Sequence, residues 1–515
     1  MLPIEKLLPR ARRLYGDREA VADGDGWMTY EQLGKRVDAL CGALAGRGLA
    51  QGDRVAILDT NSRQYLEAYY AAAQSGLILV PLNARLSGPE IEYILNDCGA
   101  KALIFAGAFT DVVASIRDRL STVEHLFRYG PGGGLAGEAD YEKALASDTG
   151  TVGAPEIKPG DIAQIYYTSG TTGEPKGVSL TYDNMRHSAV DSIICLGLTW
   201  QDTWMHTAPL FHLVDAWSVW AMPLLGGRQS VLHFDPERFL SFVEKTKATG
   251  SALPPTLLNM VANHPKIAQF DISSMRLIMY GGAPTPIGIL KNVVDKLPVH
   301  LVHGYGITET SGITTTLRTT TRAEIVDKAP SAGQAVPNIV LTIRDDDDRV
   351  LENGQVGEVV VGGPRLMQSY WRKPAETDKV LFNGAYHTGD LGFLDEHDNL
   401  CLVDRKKDMI ITGGENVYST EVENLISACP GVSEVAVVGI PDEKWGEAVH
   451  AIVVRREGES LTDAEMIAYC RGKIAGYKIP KSVSFSDLPL PKTGPGKIAK
   501  RKLRDPFWQG RDTKI

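Results

Sequence analysis

The sequence predicts an α/β protein built from more than one unit. Three observations carry that expectation. A chain of 515 residues is too long for a single hydrophobic core. Between residues 53 and 105, apolar runs alternate with helical stretches, the order of a mostly parallel sheet covered by helices. Residues 330–403 then break into short strands joined by turns such as Asn353-Gly354 and Asn383-Gly384. A large unit of stacked αβ sheets with a small antiparallel β subdomain is therefore expected, followed by an α+β unit.

Composition narrows the class. Hydrophobic content of 43% with 23% charged residues is that of a water-soluble globular protein. A net charge of −9 argues against a nucleic-acid partner, which would need a basic face. The six cysteines are scattered and form no C-x-x-C pair, so reduced thiols and a cytoplasmic location are expected. Residues 1–6 carry no long apolar run, so no signal peptide is expected. The most membrane-like stretch, 209–227, contains His212, Asp215 and prolines, and reads as a buried helix with one end facing a substrate.

In chain order, Thr29 stands three residues before Gln32, a capping box opening a helix over 30–46. Strand 53–58, helix 63–75, the apolar run 76–82, helix 89–97 and strand 102–105 follow. Gly132 to Gly137 satisfies G-x-G-x-x-G, but no strand leads directly into it, and it reads as a glycine-rich linker. The apolar run 162–167 then leads into Thr168, Ser169, Gly170, Thr171, Thr172, Gly173, Glu174, Pro175 and Lys176. Glycines let backbone N–H groups approach a ligand, hydroxyls add donors, and Lys176 adds a full charge. Such a loop suits a polyphosphate, although it is not a Walker motif.

Further on, strand 275–280 ends in Gly281, Gly282, Ala283 and Pro284, small residues that let a flat ring approach the backbone. The run Asp345 to Asp348 lies between two strands beside Arg344 and Arg349, and reads as a solvated hairpin turn rather than a metal site.

The spelling TSGTTGEPKGV resembles the phosphate loop of the acyl-adenylate-forming superfamily, which holds acyl-CoA synthetases, luciferases and the adenylation domains of peptide synthetases. Two further motifs support it. His303-Gly304-Tyr305-Gly306-Ile307-Thr308-Glu309 resembles the family's Y-G-x-T-E motif, and Pro491-Lys492-Thr493-Gly494-Pro495-Gly496-Lys497 its catalytic-lysine loop. The resemblance implies the following roles. The 168–173 loop with Lys176 holds ATP phosphates, residues 281–284 and 303–306 form the adenine site with Tyr305 stacking, and Thr308 holds the α-phosphate. Glu309, with Thr168, would hold Mg²⁺. Asp390 would accept from the ribose hydroxyls, with Leu402 nearby and Arg405 in support. His212, Val214, Trp217, Ala283, Gly306 and Gly312 would line the acyl pocket. Lys407 is the family's hinge position, dividing a large unit 1–404 from a mobile unit 405–515, and Lys497 is the catalytic lysine. Gly413 and Gly414 would line a tunnel for the pantetheine arm of CoA, with Trp445, Tyr477, Lys478 and Lys481 at the rest of that substrate.

The implied activity is ATP-dependent ligation of an apolar aryl or fatty carboxylate to CoA through acyl-AMP. Two alternatives stay open at this point: a free-standing adenylation enzyme that loads a carrier protein, and a catalytically inactive acyl-adenylate or nucleotide binding module. The partners expected are a small carboxylate, ATP and CoA; a homodimer is left open.

Overall fold

The computed structural model describes residues 2–24, 26–147, 155–168, 174–283, 285, 287–329, 331–492 and 498–509. Among them the strands form three sheets, of 14, eight and five strands.

The eight-stranded sheet is the first to be completed along the chain. Strands Arg54–Leu58, Ile78–Leu82, Ala100–Ala106 and His125–Tyr129 lie parallel, each reached through a helix, as the alternation in the sequence predicts. Ile162–Thr168 joins them in parallel, and Lys176–Thr181 then turns back antiparallel to it. The phosphate-loop segment therefore joins two strands of a hairpin. The 14-stranded sheet has a parallel centre of Thr203–His206, Gly250–Leu253, Leu277–Gly281 and His300–Ile307. Gly312–Leu317 reverses direction beside the last of these. The antiparallel strands expected over 330–403 are present, and they extend this same sheet through Ser331–Ala335 rather than standing apart.

Helices between the two sheets are buried on all sides, as a helix sandwiched between apolar faces must be. In Arg63–Ser75, Tyr65, Leu66, Tyr69, Tyr70 and the run Ala71 to Ala73 are all buried. The Tyr30–Ala45 helix opens with the predicted capping box, Thr29 and Gln32 each satisfying the other's backbone N–H. The single helix expected over 209–227 is corrected: the chain makes two short helices, Leu213–Ala216 and Ser218–Leu225. Apolar content marked the segment as buried, but its average hydropathy hid the break between them.

The Asp345 to Asp348 run is the hairpin turn expected of it. Asp345 accepts from the backbone of Asp347 and Arg349, and Arg344 and Arg349 neutralise the flanks. No cluster of three or more His, Cys, Asp or Glu suited to a metal occurs among the described residues. Nor, among them, is any helix long and apolar enough to cross a membrane.

The third sheet belongs to the small unit. The long hairpin Val432–Asp442 and Gly446–Arg455 is flanked by Ile410–Thr412, Glu415–Val417 and Ser482–Ser486, with helices Ser419–Ser427 and Asp463–Cys470 packed on it.

Candidate active site

The parallel strands of the large sheet end together, and their ends are drawn close by missing side chains. A Cβ on Gly281 would stand 2.0 Å from the Gly304 carbonyl oxygen, and one on Gly306 would stand 2.0 Å from that of Gly312. Only glycine permits this approach. Beyond Ile307 the chain makes one tight turn, Thr308–Thr310, then passes through Ser311 at φ 60° and Gly312 at φ 100° to reverse into the next strand. Thr308 and Glu309 are thereby set at the carboxyl end of the sheet, where open α/β sheets place ligands.

Glu309 is fixed from both ends. Its carbonyl accepts from the Met367 N–H at 2.7 Å, and its Oε1 accepts from the Tyr370 hydroxyl at 2.9 Å. Burial raises its pKa above the usual carboxylate range, against the lowering effect of its hydrogen bonds and Arg405. A cation beside it would offset that cost.

Asp390 and Arg405 are cross-strand partners in the antiparallel part of the sheet. Arg405 Nε lies 3.1 Å from Asp390 Oδ1, and the Tyr305 hydroxyl donates to Asp390 Oδ2 at 2.7 Å. Three residues from three distant motifs thus meet. Burial and the neighbouring Asp390 push the Tyr305 phenol pKa well up, so it stays a donor. His303 lies parallel to the Tyr280 ring, centroids 4.9 Å apart, and contacts the Ser331 carbonyl through Nδ1 at 3.2 Å. Burial lowers its pKa, which favours the neutral ring. Leu402 lies on the Arg405 strand with 38% of its surface exposed.

Thr168 and Lys176 are the last cross-strand pair before the phosphate loop. Ser169, Gly170, Thr171, Thr172 and Gly173 lie outside the described residues, as do Pro284 and Lys497. Lys176 Nζ is 2.6 Å from Glu376 Oε2 and stands 5.1 Å from the centre of the Tyr370 ring. Tyr370 therefore joins the two sites, lying beside the lysine of one motif and donating to the carboxylate of the other. Sequence reading missed both Tyr370 and Glu376, because neither belongs to a motif.

The segment expected to line the acyl pocket packs over the strand ends. A Cβ on Gly312 would meet the Leu213 carbonyl at 3.3 Å, and one on Gly282 would meet Val214 Cγ2 at 3.9 Å. His212 precedes the first short helix, its ring edge-on to Phe211 at 4.7 Å. Ala283 is partly exposed beside Gly282. Trp217 lies deeper: wholly buried, with its ring centre 4.9 Å from that of Trp204, it donates from Nε1 to the Val214 carbonyl at 3.1 Å.

Beyond Arg405 the chain enters the small unit. Asp404 accepts from the backbone N–H and hydroxyl of Ser419, at the start of that unit's first helix, and from Thr420. Lys407 is exposed, and its carbonyl accepts from Arg504 at 3.2 Å. Gly413 and Gly414 sit at a tight turn with φ 61° and 85°. The Trp445 ring covers the first of them, and a Cβ there would stand 2.7 Å from Trp445 Cε3. Lys478 is paired with Glu421 at 2.7 Å, Lys481 is exposed, and Tyr477 has 39% of its surface open.

A phosphate-type hairpin of one sheet, joined through Tyr370 to a buried carboxylate at the strand ends of another, and a second carboxylate held there by a tyrosine and an arginine, define an α/β nucleotide-binding enzyme. The model for the AMP-binding enzyme family matches residues 8–371, and that for the AMP-binding enzyme C-terminal domain matches 421–497. The chain belongs to this family, within its acyl-CoA synthetase branch, and is an AMP-forming acid–thiol ligase. It is 38% identical to a feruloyl-CoA synthase of an Amycolatopsis species over 505 residues, 97% of this chain and 98% of that protein. With a long-chain-fatty-acid–CoA ligase of Mycobacterium tuberculosis it shares 36% identity over 484 residues, 93% of each. The fold superimposes on ATP-bound MatB from Rhodopseudomonas palustris with a TM-score of 0.88 at 29% identity, covering 99% of both chains.

Proposed function

We propose that the enzyme activates an apolar carboxylate, aryl or fatty, as its acyl-adenylate and passes the acyl group to CoA in a cytoplasmic setting. The observation that carries the site assignment is the state of Asp390. A carboxylate offers about four acceptor sites. Tyr305 and Arg405 take one each, leaving room for the two ribose hydroxyls of ATP.

In the first step a carboxylate oxygen of the acid bonds to the α-phosphorus of ATP, and the bond from that phosphorus to pyrophosphate breaks. Both reactants are anionic, so the enzyme's task is alignment and charge neutralisation. Lys497 bridges the two reactants, Thr308 holds the α-phosphate, and the 168–173 loop with Lys176 holds the rest. Glu309, with Thr168, fits a magnesium ion, since a buried carboxylate with phosphate oxygens and water is a hard-oxygen set. When bound, that ion neutralises phosphate charge. In the second step the pantetheine sulfur, its proton lost, attacks the acyl carbon and AMP leaves. The small unit turns about Lys407 between the steps, withdrawing Lys497 and bringing Gly413 and Gly414 to the site. Trp445, Tyr477, Lys478 and Lys481 then meet CoA.

The acyl pocket is assigned to His212, Val214, Ala283, Gly306 and Gly312, with Trp217 backing it. These residues carry no fixed negative charge and little polarity, which supports an apolar acid. The names of the relatives, one for a feruloyl group and one for long-chain fatty acids, support both classes.

The test is pyrophosphate release with Mg·ATP over a panel of aryl, arylpropenoic and fatty acids, with and without CoA. AMP plus a thioester, made only from apolar acids, is the expected result. Pyrophosphate without thioester would replace CoA by a carrier protein, and turnover only with charged or small acids would overturn the pocket assignment.

A further inference from the structure

A buried ion pair outside every motif reaches the segment that carries Thr308 and Glu309. Arg365 and Asp191 are both wholly buried, 3.0 Å apart through Nη1 and Oδ2. Asp191 lies on the Tyr182–Leu196 helix, and its other oxygen accepts from Asn338 Nδ2 at 2.6 Å. The second guanidinium nitrogen of Arg365, Nη2, donates to the carbonyl oxygen of Ser311 at 3.0 Å and to Ser188 Oγ at 3.3 Å. Ser188 in turn donates to the same Ser311 carbonyl at 2.6 Å, and Ser311 Oγ donates back to the carbonyl of Arg365 at 2.7 Å.

Ser311 is where the turn after Glu309 needs help. Its φ of 60° places a side-chain-bearing residue in the left-handed region, which is unfavourable for an L-residue. Two donors on its carbonyl and one acceptor for its hydroxyl hold it there. The same stretch that begins at Arg365 continues to Met367, which donates to the Glu309 carbonyl, and to Tyr370, which donates to its carboxylate. Residues 365–370 are thus a strap laid over 309–311, and the guanidinium fastens its first residue to the helix below. Burying a full ion pair is expensive and seldom adds net stability over an apolar pair. A planar guanidinium whose two Nη atoms reach different partners does fix geometry.

We propose that Arg365, held by Asp191, is a positioning residue for adenylation: it fixes the Ser311 carbonyl and so sets Thr308 and Glu309 toward the nucleotide and its metal. This rests on the roles proposed above for those two residues.

The decisive variant is Arg365→Met/Asp191→Leu, which removes both charges with little change in volume, compared with Arg365→Lys, which keeps the charge without the fork. Each is measured for cooperative melting, for pyrophosphate release against Mg²⁺ concentration, for Mg·ATP affinity by calorimetry, and for thioester formation from synthetic acyl-adenylate and CoA. The double variant is expected to melt cooperatively, to lose about a hundredfold in kcat for pyrophosphate release, and to need more Mg²⁺. Thioester formation should stay within a few-fold of wild type, and Arg365→Lys should recover part of the loss. A folded double variant with wild-type kcat and Mg²⁺ requirement would overturn the inference, as would equal losses in both half-reactions. If the double variant does not fold, Arg365→Lys decides by the same Mg²⁺ shift. A wild type that releases no pyrophosphate with any acid would instead sink the functional reading. Mg·ATP affinity should be weaker in the double variant than in wild type, and tighter binding would count against the positioning role.

Discussion

In the large unit Tyr305, Glu309 and Asp390 are each bonded across to another strand or loop. In the small unit Gly413, Gly414, Trp445, Tyr477 and Lys481 lie at the surface. The first set is held in place by the protein's own hydrogen bonds, with acceptor sites on Asp390 to spare. The second is an exposed surface that, on the function proposed, would become part of a site only when brought against one. The contacts between the units come from residues 404–406 of the connecting segment: Asp404 accepts from Ser419 and Thr420, Arg405 pairs with Asp390, and Lys406 bonds to Gly389 and Asp346. A nucleotide site held in place and an acceptor surface able to move would suit two chemically different half-reactions at one centre.

The largest test of that contrast is Lys497→Ala. It should remove about 3–4 kcal/mol of barrier lowering or more from adenylation, by analogy with the loss of an oxyanion donor. Thioester formation from synthetic acyl-AMP should remain close to wild type. Equal loss in both would mean that the units do not alternate. Next in size is Asp390→Asn, which takes the negative charge from Arg405. Hydrogen bonds to charged groups contribute about 1.5–3 kcal/mol, so KM for ATP should rise about tenfold to a hundredfold while KM for CoA stays unchanged. A rise in both constants would break the separation.

On the movable side, Gly413→Ala forces a Cβ against Trp445 at a φ of 61°, a backbone state that costs an L-residue about 1–2 kcal/mol. Steady-state thioester formation should slow, with KM for CoA raised, and single-turnover pyrophosphate release without CoA should be unaltered. Should the pyrophosphate burst fall as well, Gly413 would belong to the fixed site after all.

The contrast also sorts what the sequence made legible. Strand and helix alternation, the capping box at Thr29 and the acidic turn at 345–348 rest on local periodicity or turn chemistry, and each is present. The phosphate loop and the 281–284 turn could be singled out because glycines and hydroxyls mark close backbone approach, whereas Tyr305, Glu309, Asp390 and Lys497 are assigned through the family resemblance. Their partners could not. Tyr370 and Glu376 reach Glu309 and Lys176 across 61 and 200 residues. Arg365, in a stretch with an exposed glycine and proline on one side, gives no local sign that its guanidinium turns inward to a helix 174 residues away. Charge in a sequence argues for solvent, and only the fold can supply a buried counter-charge. The helix expected over 209–227 failed for a related reason: average hydropathy registers burial but not the break between its two short helices.

The smallest expected effect on the wild-type enzyme is a shift of its pH profile, set by protons at the nucleotide site. Burial raises the pKa of Glu309, so on acidification it takes up a proton at a higher pH than an ordinary carboxylate would. Only its ionised form can hold a magnesium ion. Pyrophosphate release should therefore decline on the acid side before other carboxylates titrate, and added Mg²⁺, competing with that proton, should move the decline to lower pH. Stability runs the other way. Because the folded pKa is raised, ionisation is less favourable in the folded state, and the penalty grows as pH climbs from the ordinary carboxylate value through the raised one. Glu309→Gln should accordingly melt at the same or a higher temperature than wild type at neutral pH, while losing the Mg²⁺-sensitive acid limb and most of its adenylation. Were Glu309→Gln instead less stable at neutral pH and unchanged in its Mg²⁺ requirement, Glu309 would be a structural anchor for Tyr370 rather than the metal ligand.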